Sequence, residues 1–407
     1  MPNPIELVAP ARLGRDFRWL LGSSWTTNLS DGIAIAAGPL LVASQTDDAF
    51  LVAMAALVQW LPPLLFSLVA GALSDRLDRR LIVIVVNLVR AGVLAVIAAS
   101  ILTDTVSIGV VLGALFVLGT AEVFADNTSH TLLPMLVRRD DLAVANARLQ
   151  AGFVTVNQLA GPPIGAALFA LGMALPFVGQ ALLVAFGALL VGRVRLPPHG
   201  NERTTPIRHD IAEGVRWVRR HPAVRTLVLT IFTFNITFGA AWSILVLYAT
   251  QRLGLGEIGY GLLTTVSAAG GLLGTLSYGW ITRRLSLSDI MRIGLVIETL
   301  THLGLALTTT PWIAMAIFFV FGAHAFVWGT TSVTIRQRAV PNELQGRVGA
   351  VNTVGVFGGL VLGSGVGGAL ARAYDVTAPF WFASVGSAIF VVLIWRELRH
   401  IAHDDPV

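Results

Sequence analysis

The 407-residue chain contains no cysteine and no lysine, and Asp, Glu and Arg together make only 13% of it. Without cysteine there is no disulfide framework and no thiol chemistry. Without lysine there is no phosphate-binding GxxxxGKS/T loop, so ATP hydrolysis is disfavoured. All 28 basic residues are arginine, which reads as genomic codon bias rather than mechanism. An average soluble domain is about 25% charged, so the polar surface that a water-soluble molecule needs is missing. HExxH and GxSxG are absent too, and the eight histidines are scattered. These absences argue against an enzyme. No metal site and no cofactor is expected.

What is present is apolar. Hydrophobic residues make 55% of the chain and the mean hydropathy is +0.75, so lipid must be the outer solvent. A membrane helix needs roughly 20 mostly apolar residues. Such stretches fall at 18–44, 50–73, 81–102, 106–130, 150–171 and 175–194 in the first half. The second half repeats the count at 224–249, 259–281, 290–309, 312–335, 347–371 and 378–396. The expectation is an all-α membrane protein with twelve transmembrane helices.

Arginine orients them. With the N-terminus in the cytoplasm, 25 arginines lie inside, only Arg252 and Arg372 lie outside, and Arg90 lies within a span. The opposite orientation reverses the ratio. Both termini are therefore expected in the cytoplasm of a multi-pass inner-membrane protein. The sequence pI near 10.5 is then an orientation signal, and no nucleic-acid partner is implied. Arg12, Arg15 and Arg18 run straight into a span too long for a signal-peptide core, so no cleavable signal is read.

One long hydrophilic connection, 196–222, separates residues 1–195 from 223–407. Within it Ile207, Ile211, Val215 and Val218 recur at helical spacing among Arg208, Glu213, Arg216 and Arg219. That pattern suits an amphipathic helix on the inner membrane surface. The flanking halves resemble each other. Leu159-Ala-Gly161-Pro-Pro-Ile-Gly165-Ala-Ala-Leu168 aligns with Val361-Leu-Gly363-Ser-Gly-Val-Gly367-Gly-Ala-Leu370 at an offset of 202, and the same offset sets Asp141-Leu142 on Glu343-Leu344. Two six-helix pseudo-repeats around a central site is a transporter architecture.

After the second span comes Gly71-Ala-Leu73-Ser-Asp75-Arg76-Leu-Asp-Arg79-Arg80. This resembles motif A of the major facilitator superfamily, G-x-L-x-D-R-x-x-R-R, at every fixed position. The physics fits a gate. Gly71 permits close helix approach, Asp75 can face the positive end of a helix, and Arg79 pairs with a carboxylate. Arg76 and Arg80 belong to the same cluster. The corresponding loop Gly279-Trp-Ile-Thr-Arg283-Arg284 puts Arg283 where the acid should stand, so the gate is expected to be asymmetric. Gly161, Pro162 and Gly165 resemble the core of the G-P-x-x-G motif of the superfamily's exporters, with Asn157 and Arg148 where the longer motif has glycine. The segments Glu213–Pro222 and Val340–Val348 are similar to a branch of drug, macrolide and siderophore exporters.

Ionisable groups at bilayer depth cost at least about 2.5–3.5 kcal/mol each and are functional candidates. Asp31 lies mid-span beside Asn28, and Arg90 lies in the third span. Glu122 and Asp126 sit one turn apart in the fourth, Glu298 and His302 in the ninth, and His324 and Trp328 in the tenth. The resemblance implies that the first and fourth helices of each half line the path. Asp31 and Glu122 are then coupling or substrate-binding groups with Arg90 as counter-ion, and Asp126 is a gate partner for Arg79. Glu298 and His302 read as a structural pair on a supporting helix. Asn235, Phe238 and Trp242 share a face of the seventh span and, if they reach the cavity, suit lipophilic cations. The combined expectation is a monomeric, proton-coupled exporter of small organic molecules. Uptake of a solute or lipid on the same fold and a non-transporting membrane sensor are the alternatives.

Overall fold

The computed structural model describes residues 10–74, 77–195 and 207–399. Two of the expected gate residues, Asp75 and Arg76, lie outside the described residues, as does 196–206 of the central connection. Among the described residues every regular element is helical. The order is α1 (Gly14–Gln45), α2 (Ala49–Ser74), α3 (Arg79–Leu102), α4 (Ile108–Leu136) and α5 (Leu142–Gly152). A π-helical stretch, Phe153–Ala160, leads on into α6 (Gly161–Leu171), followed by α7 (Leu175–Val191). Next come α8 (Ile207–Arg220), α9 (Pro222–Trp242), a single turn α10 (Leu245–Leu247), α11 (Glu257–Ile281) and α12 (Leu287–Leu307). The chain ends with α13 (Pro311–Ala339), α14 (Gln345–Ala373) and α15 (Ala378–Ile394).

Among these, eight runs are long and apolar enough to cross a membrane: α2, α3, α4, the continuous α5–α6 run, α9, α12, α13 and α14. The helices α7 and α15 are apolar but only 17 residues long. Of the others, α1 and α11 have the length but carry more Ser, Thr and Gly.

Local chemistry sets the helix starts. The side chains of Asp78, Ser107 and Ser286 accept from the amides of Leu81, Val110 and Asp289, satisfying donors that a helix start leaves open. Proline occupies the first turn of α7, α9, α13 and α15, where its missing N–H costs nothing. Interior prolines at 39, 62, 63 and 134 fall in apolar helices whose neighbours can re-satisfy the freed carbonyls.

The helices form two compact units. One comprises Met1–Gln45 with Leu65–Thr204, and the other Thr46–Leu64 with Thr205–Val407, so the division falls inside α2. In the first unit α6 and the end of the π stretch lie on α1 along a glycine seam. A Cβ at Gly161 would strike the backbone of Gly32, and one at Gly165 would strike the Ile33 carbonyl. Pro162 is buried between them. In the second unit α14 lies on α9 in the same manner, with Gly363 against the Ile236 carbonyl and Gly367 against that of Ala240. A second seam joins α11 and α13 through Gly270, Gly274 and Gly322. Lipid gives no hydrophobic drive between helices, so such backbone contacts carry the association.

Gly71 is different. A Cβ there would meet nothing within 4 Å. The residue faces open space in this conformation, and the close approaches come from α6, α13 and α14 instead. The amphipathic helix is present as α8, but Val218 is buried in protein, against Val224, Val340 and Val348. Glu213 pairs with Arg347 at 2.8 Å, and Gly214 lets α8 close on the Arg347 backbone.

Candidate functional site

The first unit holds a cavity of about 400 Å³ lined by α1, α3, α4, α5 and the π-helical stretch. Asn28 and Asp31 enter from α1, Asn87 and Arg90 from α3, Glu122, Asp126 and Ser129 from α4, and Gln150 and Asn157 from the other side. Five groups named from the sequence, drawn from three separate spans, therefore meet in one place. Arg90 donates to the Asp31 carboxylate and, at 3.3 Å, to the amide oxygen of Asn87. Its side chain is 7% exposed and that of Asp31 is 19% exposed, so the pair is sealed on the arginine side and open to the cavity on the acid side. Glu122 and Asp126 also act electrostatically on Arg90. The single arginine thus stands opposite three acids. Its Nε is buried without a hydrogen-bond partner.

Secondary structure explains the convergence. Asn87 and Arg90 are spaced i,i+3 on α3, so they share a face, and that face is the buried one. Asn28 donates to the Ser24 carbonyl at 2.8 Å, which holds its amide along α1 one turn before Asp31. The π stretch turns Asn157 into the cavity beside the Gly32 contact. Asn87, Asn157 and Gln150 are cavity residues that sequence reasoning does not assign. The i,i+3 spacing before Arg90 is the signal that marks Asn87.

At one end of this unit Arg79 donates to the Ser74 carbonyl at 3.1 Å and lies 3.1 Å from the Met135 sulfur. Arg80 donates to the Gly192 carbonyl. Asp126 lies on the cavity wall with Glu122.

The second unit contains an aromatic cluster. Phe238 stacks on Trp242 with ring centres 4.4 Å apart, and Phe321 lies 4.7 Å from Trp242. Phe318 packs on the same indole at 5.4 Å. Asn235 donates to the Ile231 carbonyl at 2.7 Å and is half-buried beside Gly359. Phe238 and Trp242 thus form one surface with Phe318 and Phe321, while Asn235 belongs to the α9–α14 seam.

A second cavity in this unit, about 810 Å³ and open, is lined by Asp47, Asp48, Arg252, Arg372 and Asp375. These include the two arginines counted outside. Arg372 lies 3.6 Å from Asp48, and Arg252 donates to the Thr308 carbonyl. Asp375 accepts from the side chain and backbone of Thr377 and from the amide of Ala378. Those bonds hold its carboxyl below the usual range.

The transmembrane secretion effector family matches residues 7–405. The multidrug efflux pump Tap of Mycolicibacterium fortuitum is 28% identical over 398 residues, covering 89% of this chain and 90% of that protein. The class C tetracycline resistance protein of Escherichia coli is 23% identical over 361 residues, covering 84% and 85%. Among solved structures, the nucleoside transporter NupG superimposes with a TM-score of 0.75 at 13% identity, over 95% of this chain and all of that one. A bacterial homologue of the iron transporter ferroportin, in its inward-facing state, gives 0.75 at 16% identity over 94% and 98%.

Proposed function

Because the chain belongs to the transmembrane secretion effector family of major facilitator transporters, we propose that it exports small organic molecules by alternating access, driven by proton antiport. It is a multi-pass membrane transporter, and its curated relatives include multidrug and antibiotic efflux pumps. Drug-like or siderophore-like compounds are the proposed substrates.

The observation that carries this reading is the Asp31–Arg90 pair set in a polar cavity with Glu122 and Asp126. A buried acid whose counter-ion sits on another helix has two alternative partners, the arginine and a proton. Separation of the pair in one access state hands Asp31 to the proton, and its reunion with Arg90 releases it. Glu122 shares this duty or attracts a cationic substrate. Asn28 supplies hydrogen bonds on the wall, and the Phe238–Trp242 surface supplies stacking for a lipophilic ligand. Arg79, Arg80, Asp126 and the buried Gly161-Pro162…Gly165 segment are assigned to gating, with Asp75 and Arg76 assigned by the motif alone.

The finer layout belongs to the same reading: twelve spans in two six-helix repeats, with the boundary in the central connection and both termini cytoplasmic. The matched glycine seams support it, since Gly161 and Gly165 do for α1 what Gly363 and Gly367, 202 residues on, do for α9. Topology is read in the cysteine-free background. A cysteine at Thr46 is expected to react with an impermeant maleimide in intact cells, and one at Ser74 only after permeabilisation.

The coupling test is transport by purified protein in liposomes, with an imposed pH gradient and a panel of chemically varied compounds. Asp31→Asn fixes the neutral form, so gradient-driven export is expected to fall to background while binding and passive exchange persist. Full gradient-driven export by this variant removes Asp31 as the coupling group.

A further inference from the structure

The second unit buries a polar centre of its own. Glu298 and His302 lie one turn apart on α12, on the stripe that carries the buried Met291, Leu295 and Leu305. His324 approaches from α13. Gly294 permits this, because a Cβ there would come 2.5 Å from the Trp328 ring and 3.3 Å from the His324 Nδ1. The Glu298 carboxylate oxygen is 4.0 Å from the His302 Nε2, and the two side chains are 13% and 0% exposed.

A structural pair would be hydrogen-bonded, since buried polar groups in folded proteins almost always are. This one is not. Both ring nitrogens of His302 and both of His324 are buried without a hydrogen-bond partner, as is the Trp328 Nε1. No arginine comes within ion-pair distance of Glu298 among the described residues. The neighbours of α12 confirm the isolation. α13 contributes His324 near the pair, with Arg336 and Arg338 in its last turn, α15 contributes no titratable group, and the turn Glu397–Arg399 meets the start of α12 at Ser288, almost three turns from Glu298. Arg292, nearly two turns away on α12, is engaged with the Trp395 carbonyl. The side facing α9 is closed by Trp242, whose ring lies edge-on to His302 at 5.9 Å, and Phe321 lies edge-on to His324 at 5.5 Å.

We propose that Glu298, His302 and His324 form a second proton-binding site, in which the carboxyl holds the proton and the two imidazoles are the neutral acceptors beside it. An ionised carboxylate with no cation beside it is disfavoured at this depth. The His302 ring, 4.0 Å from the carboxylate oxygen, can receive its proton after a side-chain rotation, and His324, beside Gly294, comes within reach after a small shift of α12 on α13. The proton stays within the cluster, so no further reactant is needed. Its use in the cycle rests on the proton-antiport reading above, but the existence of the site does not.

The test therefore needs no substrate. Full-length protein in lipid nanodiscs is examined by pH-induced infrared difference spectroscopy, reading the C=O stretch of protonated carboxyls. At neutral pH the wild type is expected to show a band that Glu298→Gln removes and Asp31→Asn leaves. The pH at which that band disappears is expected to shift by about one unit or more in His302→Gln and in His324→Gln. Glu298→Gln mimics the protonated form, so its thermal midpoint should stay at the wild-type value. No band lost in Glu298→Gln overturns the proposal, and so does failure of that variant to fold, which would mean that the site requires an ionised acid. A band that both histidine variants leave unmoved overturns the shared site. Failure of Asp31→Asn to abolish transport, by contrast, bears only on the coupling role of the first unit.

Discussion

The two units bury polar groups at bilayer depth in opposite ways. In the first, charge is compensated: Arg90 is held by Asp31 and Asn87 and faces two further acids across a cavity. In the second, one acid and two imidazoles sit among aromatic rings and, among the described residues, no arginine lies within ion-pair distance of the acid. The contrast shows two answers to one cost. A buried ion survives either by pairing or by taking up or giving away a proton. Each unit packs one helix on another along a pair of glycines, and the contrast in charge lies in the side chains that fill the interior.

Removing charge should therefore hurt one unit and spare the other. Arg90→Ala leaves Asp31 buried and unpaired and is expected to cost about 3–5 kcal/mol, read as a lower thermal midpoint in detergent together with loss of gradient-driven transport. Glu298→Gln, the corresponding neutralisation in the second unit, should leave that midpoint in place. Equal losses in the two variants would erase the distinction.

The shared scaffold is tested by a matched pair. Gly165→Leu and Gly367→Leu both drive a side chain into a facing carbonyl, and each is expected to cost about 1–3 kcal/mol through overpacking. Gly71→Ala is the control, because a Cβ there meets nothing, and its midpoint should not fall. A large loss in only one of the pair would break the symmetry drawn between the seams.

Smaller effects lie at the surfaces. Glu213→Gln removes a part-exposed pair with Arg347 and should cost about 0.2–1 kcal/mol, less at high salt. Asp375 has a folded value below its ordinary 3.8. Its contribution to stability is present above that ordinary value and is lost as pH falls through the folded one. Asp375→Asn should thus flatten the acid end of a thermal-midpoint profile slightly and leave neutral pH unchanged.

Much of the first cavity is legible in the amino-acid sequence. Glu122 and Asp126 are one turn apart in any helix, and Asp31 and Arg90 are conspicuous because an apolar span has no ordinary use for a charge. The pairing of Asp31 with Arg90 follows only from the family resemblance, since nothing in local spacing relates α1 to α3. Glu298 and His302 are legible as neighbours, and the structure sets them 4.0 Å apart without a hydrogen bond. Their spacing is local, whereas the missing hydrogen bond and the approach of His324 depend on how α13 meets α12 at Gly294. Gly71, where a Cβ would meet nothing within 4 Å, makes a related point. A glycine permits a close approach but does not produce one, and the facing helix decides.

Taken by itself, the sequence determined what each helix needs as solvent, where the chain turns, and which charges are costly. Those follow from composition and local hydrogen bonding, which need no partner. Which face of each helix is buried was decided only by tertiary structure. A helix that is apolar nearly all round carries no stripe to read. The choice among its faces therefore falls to glycine seams, one arginine among three acids, and a ring of aromatics around two histidines, all of them contacts between residues far apart in the chain.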